Sequence, residues 1–281
     1  MNKKLPVGPL FLVLAALMWS SAGVVIKSVA WDGVCIAALR GTLCFLALVI
    51  FLRPFPMKIN KVKLITAFCY FAQGILYVLA NKYTTAANAT MLQYTSTLYI
   101  ILFTAIATKK LPKKLDVLAS IVLLGGIALA FVGTTESGGM VGNIMALVSA
   151  FFYAGVFYCS RLEGADTIDS MVLGNAMYMV LLPLMLTNQQ VLSSPLQDWL
   201  LAGTYGLIGG FGAWMCFAKG IKTTPALQAN FITMLEPVLA PVWTFLILGE
   251  TITVWSLLGA VVVIGGILVY NTLQTKQEKT G

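Results

Sequence analysis

Ten runs of apolar residues, each close to the ~20 that an α-helix needs to cross a bilayer, divide this chain of 281 residues. They extend from Val7 to Ile26, Val34 to Leu52, Leu64 to Leu79, Ala86 to Thr108, Leu115 to Val132, Val141 to Cys159, Met171 to Leu186, Leu200 to Ala218, Ala226 to Leu248 and Val254 to Leu273. Such runs use roughly 200 positions and leave no room for a soluble domain. The breaks between them, among them Arg53-Pro54-Phe55-Pro56, Lys110-Leu111-Pro112-Lys113 and Ser137-Gly138-Gly139, carry turn-forming residues. Asn2-Lys3-Lys4 before the first run resembles the start of a signal peptide, but the run is long and no small-residue cleavage site follows, so it is read as a retained helix.

Charged residues make up 10% of the chain, against about 25% in a globular domain, and mean hydropathy is +0.90. A water-soluble core and a disordered chain are both excluded. The net charge of +8 does not point to nucleic acid. Of the 18 Lys and Arg residues, 15 fall on one side of the alternating spans: Lys3, Lys4, Arg53, Lys58, Lys61, Lys63, Lys109, Lys110, Lys113, Lys114, Arg161, Lys219, Lys222, Lys276 and Lys279. Lys27 and Lys82 fall on the other side, and Arg40 lies inside the second run. The positive-inside rule then places both termini in the cytoplasm of a multi-pass protein, expected in a bacterial cytoplasmic membrane. Histidine is absent, and the five cysteines are scattered singly, so neither a metal site nor a disulfide framework is expected.

Residues 82–127 align without a gap on residues 222–267, and ten of the 46 pairs are identical: Lys82, Thr84, Ala86, Ala89, Thr104, Leu118, Val122, Gly125, Gly126 and Ile127 with their partners 140 positions on. At an offset of 134, Gly8, Ala16 and Lys27 meet Gly142, Ala150 and Arg161. The repeat unit is therefore five helices. An odd number forces the second unit to enter the bilayer from the opposite side. The expected architecture is an all-α membrane protein with ten transmembrane helices as two inverted five-helix repeats, 1–135 and 136–273, followed by a polar cytoplasmic tail, 274–281. Inverted repeats of this kind characterise secondary transporters, with the substrate near the midplane.

The segment Met234-Leu235-Glu236-Pro237 followed by Leu248-Gly249-Glu250, Leu39-Arg40-Gly41 in the second run, and the Gly-Gly pairs of the fifth and tenth runs resemble the EamA branch of the drug/metabolite transporter superfamily over essentially the whole chain. The first half departs from the pattern, with Thr97 in the place of Pro237 and Lys110 in the place of Glu250. The resemblance implies a carrier of small organic solutes, often an exporter of amino acids or other metabolites.

Glu236 lies about ten residues into the ninth run, roughly 15 Å along a helix axis and near the bilayer centre. A carboxylate there must take up a proton or meet a cation. It is read as a proton-coupling or cation-pairing group, with a protonated structural glutamate as the alternative. Thr90, Gln93 and Thr97 share one face of the fourth run and map at the 140 offset onto Asn230, Thr233 and Pro237, a polar face suited to a cavity or to interhelical hydrogen bonds. Arg40, about six residues inside the second run, either extends to the interface or offers a cation to a carboxylate substrate. With Glu236 it would suit a zwitterion such as an amino acid.

Trp19 corresponds to Tyr153 and Tyr77 to Phe217 across the repeat. Together with Tyr94, Tyr99, Tyr178 and Trp214 they offer aromatic walls or ordinary bundle packing. Gln73 and Tyr77, continued by Asn81, are the candidates of the third run, and Asn175 and Tyr178 those of the seventh. Gly125-Gly126 and Gly265-Gly266 are expected to permit close backbone approach, and Glu250 to be solvated. The glycine-rich segment Gly206–Gly210 lies in an apolar helix with no strand before it and is not a nucleotide loop.

The chain is thus read as a non-enzymatic secondary carrier without cofactors. It would move a small organic metabolite, an amino acid or related solute, by alternating access, with efflux the expected direction and protons the candidate coupling ion. The alternatives are an importer of an organic cation or other nutrient and, from another class, a polytopic intramembrane enzyme or a non-transporting membrane partner. The second class is weakened by the lack of a catalytic constellation.

Overall fold

A computed structural model describes residues 7–52, 56–130, 132, 139–248 and 253–280. Among these the regular structure is helical, with no strand. In a bilayer every backbone N–H and C=O needs an internal partner, and a helix supplies it. Eight segments are long and apolar enough to cross a membrane: α1 (Val7–Ser28), α2 (Gly33–Leu52), α3 (Lys61–Tyr83), α4 (Ala86–Thr108), α6 (Met140–Cys159), α7 (Thr167–Leu186), α8 (Leu196–Ile221) and the first part, Val254–Gln274, of α11 (Val254–Thr280). Between them lie α5 (Lys114–Ala130), α9 (Ala226–Thr233) and α10 (Leu235–Leu248). The chain is a multi-pass membrane protein, and large apolar side chains such as Ile50, Ile106, Ile121, Val180 and Val261 point outward, as a lipid-facing surface requires.

Polar residues set where helices begin. Asn60 accepts a hydrogen bond from the Lys63 amide at 2.9 Å, Thr85 from Asn88 at 3.1 Å, and Asp166 from Ile168 at 2.9 Å. At the far end of α4 the chain leaves through Lys109, which is left-handed at φ 52°. The third helix exceeds the expected run because its outer turn, capped by Asn60, is polar and is not registered by a hydropathy boundary; the eighth, without a side-chain cap at Pro195, also extends beyond the expected run, from Leu196 to Ile221. The last helix was expected to stop at Leu273 before the polar tail. It continues through Thr280, since Gln274–Thr280 contains neither Gly nor Pro to end it.

Several helices are interrupted midway, α7 by a 3-10 turn at Met179–Leu181. α1 loosens at Ser20-Ser21, α4 at Tyr94-Thr95, and α9 gives way to α10 at Met234. Tyr94 and Met234 are 140 residues apart. In α8, residues Tyr205–Gly212 form a π-helical stretch, so the discounted glycine segment is a local widening of the helix.

α3 packs on α6 and α7, α8 packs on α1 and α2, and α5 packs on α11. The contacts are reciprocal at the repeat offsets. A Cβ on Gly126 would lie 2.9 Å from Val262 and Val263, and one on Gly266 would lie 2.8 Å from Leu123. The Tyr270 hydroxyl donates to Asp116 at 2.9 Å, and at the related positions Ser256 donates to the Ala130 carbonyl at 3.0 Å. Gly8 faces Thr224, as Gly142 faces Thr84. Such exchange of partners is the geometry of a two-fold contact. Of the paired glycines only the second of each pair faces the other helix, because Gly125 and Gly265 look into open space.

Gly126→Leu should therefore overpack the α5–α11 seam and destabilise the protein by about 1–3 kcal/mol, whereas Gly125→Leu one position away should stay within about 0.5 kcal/mol of the parent. Thermal unfolding of the two variants in detergent checks the contrast, and equal effects would contradict the seam.

Candidate functional site

The interrupted stretches of α1, α4 and α9–α10 and the π-helical part of α8 converge on a central cavity. It is lined by Trp19, Ala22, Arg40, Gln73, Tyr77, Gln93, Tyr153, Tyr205, Gly209, Trp214 and Glu236. Its volume of about 20 Å3 is room for about one water molecule, which needs ~10–15 Å3. Eight of the side chains singled out in the sequence therefore meet at one point, drawn from seven helices and from both halves of the repeat.

Glu236 sits at the start of α10, 5% exposed. Its Oε2 lies 2.8 Å from the Tyr94 hydroxyl, and its Oε1 has a longer contact of 3.5 Å with Tyr77. Tyr77 also shares a hydrogen bond with Thr90 at 3.0 Å. The Tyr94 hydroxyl lies 2.5 Å from the Thr233 carbonyl as well. A phenol has one proton to give, and a carbonyl can only accept. Both contacts are hydrogen bonds at once only when Tyr94 donates to Thr233 and a protonated Glu236 donates to Tyr94. An ionised Glu236 would claim the Tyr94 proton and leave the buried Thr233 carbonyl facing an oxygen without a hydrogen. This one tie between α4 and α9, from Tyr94 to the Thr233 carbonyl, thus depends on whether Glu236 carries a proton.

Arg40 does not reach to the interface. It is 3% exposed, and its guanidinium carbon stands 5.4, 5.9 and 6.0 Å from the ring centres of Tyr205, Tyr70 and Tyr178. Its Nε and NH1 lack hydrogen-bond partners. The ion pair found among the described residues is Lys63–Asp169 at 2.5 Å, at the lysine-bearing end. Cation–π contacts contribute ~0.5–2 kcal/mol each, while burying an ion costs several kcal/mol. The rings position the cation without neutralising it. Gly74 makes this possible, since a Cβ there would lie 2.7 Å from NH1 and clash with the Tyr178 hydroxyl. Gln73 Oε1 is a further buried polar atom without a partner, and Gln93 Nε2 reaches Ser149 Oγ at 3.4 Å.

Aromatic rings close the cavity. Trp19 stands edge-on to Trp214 at 4.9 Å and to its repeat counterpart Tyr153 at 6.3 Å, and Trp214 to Tyr70 at 4.5 Å. The Trp19 indole donates to the Gly209 carbonyl in the π-helical stretch at 3.1 Å, which ties α1 to α8 across the cavity.

The other sequence candidates form the frame. Thr97 donates to Asn230 Oδ1 at 2.6 Å, and Asn230 donates to Ser96 at 3.0 Å, so this polar face joins α4 to α9. The Thr233 hydroxyl bonds the Asn230 carbonyl at 2.9 Å. Asn175 donates to the Tyr70 hydroxyl at 3.1 Å, and Tyr178 to the Phe71 carbonyl at 2.9 Å, holding two of the rings around Arg40. Tyr99 packs on Phe151 at 5.6 Å. Glu250 lies outside the described residues. Sequence reasoning missed Tyr70 and Tyr205. Tyr70 precedes Gln73 by three on the same helical face, and Tyr205 opens the glycine segment, which was the signal available for each.

The EamA-like transporter family matches residues 6–132 and again 140–272. Two uncharacterised transporters resemble the chain at full length: one from Archaeoglobus fulgidus is 26% identical over 93% of this chain and 95% of its own, and one from Clostridium kluyveri is 27% identical over 94% and 93%. A solved crystal structure with 18% identity superposes at a TM-score of 0.79 and covers 96% of this chain and 98% of its own, which speaks to the fold alone. With the membrane-spanning helices in view, the chain belongs to the EamA-like transporter family and is a non-enzymatic, multi-pass membrane transporter of small molecules.

Proposed function

We propose that the protein exports a small zwitterionic metabolite of the amino-acid class across the cytoplasmic membrane by alternating access, with protons as the coupling ion. In this reading the chain forms ten transmembrane helices in two inverted five-helix repeats, 1–135 and 136–273, with both termini cytoplasmic. The reciprocal contacts at offsets 134 and 140 support that arrangement. Efflux rests on the family resemblance.

The observation that carries the reading is a buried guanidinium without a counterion and a buried carboxyl group lining the same aromatic cavity. Arg40 would hold the substrate carboxylate, and Glu236 would meet the ammonium group once it has given up its proton. An organic cation fits less well, because it would leave Arg40 uncompensated. With room for a single water, the cavity must widen to admit a solute. The breaks at Tyr94-Thr95 and Met234 put flexible joints in α4 and at the α9–α10 junction, where discontinuous helices flank the site in other carriers. Loss of the Glu236 proton reassigns the Tyr94 hydrogen bond and removes one of the ties between α4 and α9, leaving those through Asn230, which would link protonation to the opening of the halves.

Glu236→Gln keeps a donor for Tyr94 and should fold. In proteoliposomes loaded with the best hit of a thermal-shift screen, solute exchange should persist in this variant, while uphill transport driven by a pH gradient should be abolished. Unchanged pH-driven accumulation would refute the coupling role. Arg40→Ala should weaken binding of carboxylate-bearing solutes by roughly 10- to 100-fold, the worth of a hydrogen bond to a charged group at ~1.5–3 kcal/mol. The corresponding esters and amides should bind the variant and the parent alike, so an equal loss for all analogues would refute carboxylate recognition.

A further inference from the structure

A second cavity, of about 410 Å3, opens at the lysine-bearing end between the last turns of α4, the α4–α5 loop, the start of α9 and the far part of α11. It shares no lining residue with the central site. Ile101, Thr104, Ala105 and Thr108 supply the α4 wall at helical spacing. Both hydroxyls are spent within the helix: Thr104 donates to the Ile100 carbonyl and Thr108 to the Thr104 carbonyl, each at 2.8 Å. The wall therefore presents carbon, and Leu227 faces it from α9.

The mouth is polar and basic. Lys110 and Lys113 line it, against one carboxylate, Asp116, whose Oδ1 already accepts the Tyr270 hydroxyl at 2.9 Å. Two cations and one anion leave a positive excess. Gln274 Oε1, also on the lining residue set, is buried without a partner and needs a donor. From Ile101 to Thr108 the wall runs roughly 10 Å along the helix, longer than a headgroup layer of about 5–8 Å. The inner end thus lies at acyl-chain depth and the mouth among headgroups.

We propose that this crevice binds one anionic phospholipid of the phosphatidylglycerol type. Its phosphate lies between Lys110 and Lys113, a headgroup hydroxyl donates to Gln274, and its upper acyl carbons cover the α4 wall. A free small anion would satisfy the lysines and leave the apolar wall bare. A zwitterionic lipid would cover the wall without matching the charge. Basic pockets between helices on the cytoplasmic side are the expected setting for such headgroups.

The test uses the full chain in detergent, with native mass spectrometry for retained lipid and thermal unfolding for stability. The additives are phosphatidylglycerol, phosphatidylcholine with the same acyl chains, and glycerol phosphate. The proposal expects one phosphatidylglycerol retained in preference to phosphatidylcholine, with a raised melting temperature that glycerol phosphate does not reproduce. In the double variant Lys110→Gln/Lys113→Gln that retention should fall roughly 30-fold, the worth of two lysine contacts near an anionic surface. Lys58→Gln/Lys61→Gln, elsewhere on the same face, should keep it. Equal retention of the two lipids, an equal loss in both double variants, or full stabilisation by glycerol phosphate would overturn the proposal.

Discussion

A guanidinium held away from water, among rings and without a carboxylate partner, is the constraint around which the centre of this protein is organised. Lipid cannot solvate it and the aromatic faces only partly offset its desolvation. Every neighbour is accordingly arranged to keep the cation in place. Gly74 leaves it space, the Phe71 carbonyl and Asn175 fix the hydroxyls of Tyr178 and Tyr70, and the π-helical stretch brings Tyr205 alongside. A structural arginine would be paired within its own fold, as Lys63 is with Asp169. No such pairing is found at Arg40 among the described residues.

Glu236 is governed by a different limit, the single proton of Tyr94. Coulombic attraction is not what ties this carboxyl group to the helices around it. The tie is a count of donors and acceptors in a place where water cannot make up a shortfall. No large displacement at the carboxyl group is needed to alter this arrangement, since one hydrogen's position decides whether Tyr94 donates to the Thr233 carbonyl or to Glu236.

The helical class and the membrane setting were legible in the sequence, because lipid imposes run length and backbone satisfaction on any chain that crosses it; of the ten runs read there, eight are helices long and apolar enough to span among the described residues. Glu236, Arg40 and Gln73 stood out as polar residues inside apolar runs, and Trp19 and Tyr153 as aromatics at related positions; the five line one cavity. The break at Tyr94-Thr95 was not legible, since no proline or glycine marks it, whereas the one at Met234 had a signal in Pro237, which has no N–H for the Thr233 carbonyl. Nor were the partners of Arg40, because Tyr70, Tyr178 and Tyr205 come from three helices whose rotation about their axes is set by packing. The polar face of Thr97, Asn230 and Thr233 was read correctly as inward, but only coordinates distinguish a face that joins helices from one that lines a cavity.

The cavity's room for a single water bears on a demand that any pore-like pathway in an energised membrane must meet. A continuous file of water would conduct protons and small ions and discharge the gradient the cell maintains. Here the rings of Trp19, Tyr153 and Trp214 interrupt such a file, and separating each ring pair forfeits ~0.5–1.5 kcal/mol beyond the area it exposes. A bare ion offers too few contacts to offset that cost. The tightness of the cavity is thereby a barrier against leakage.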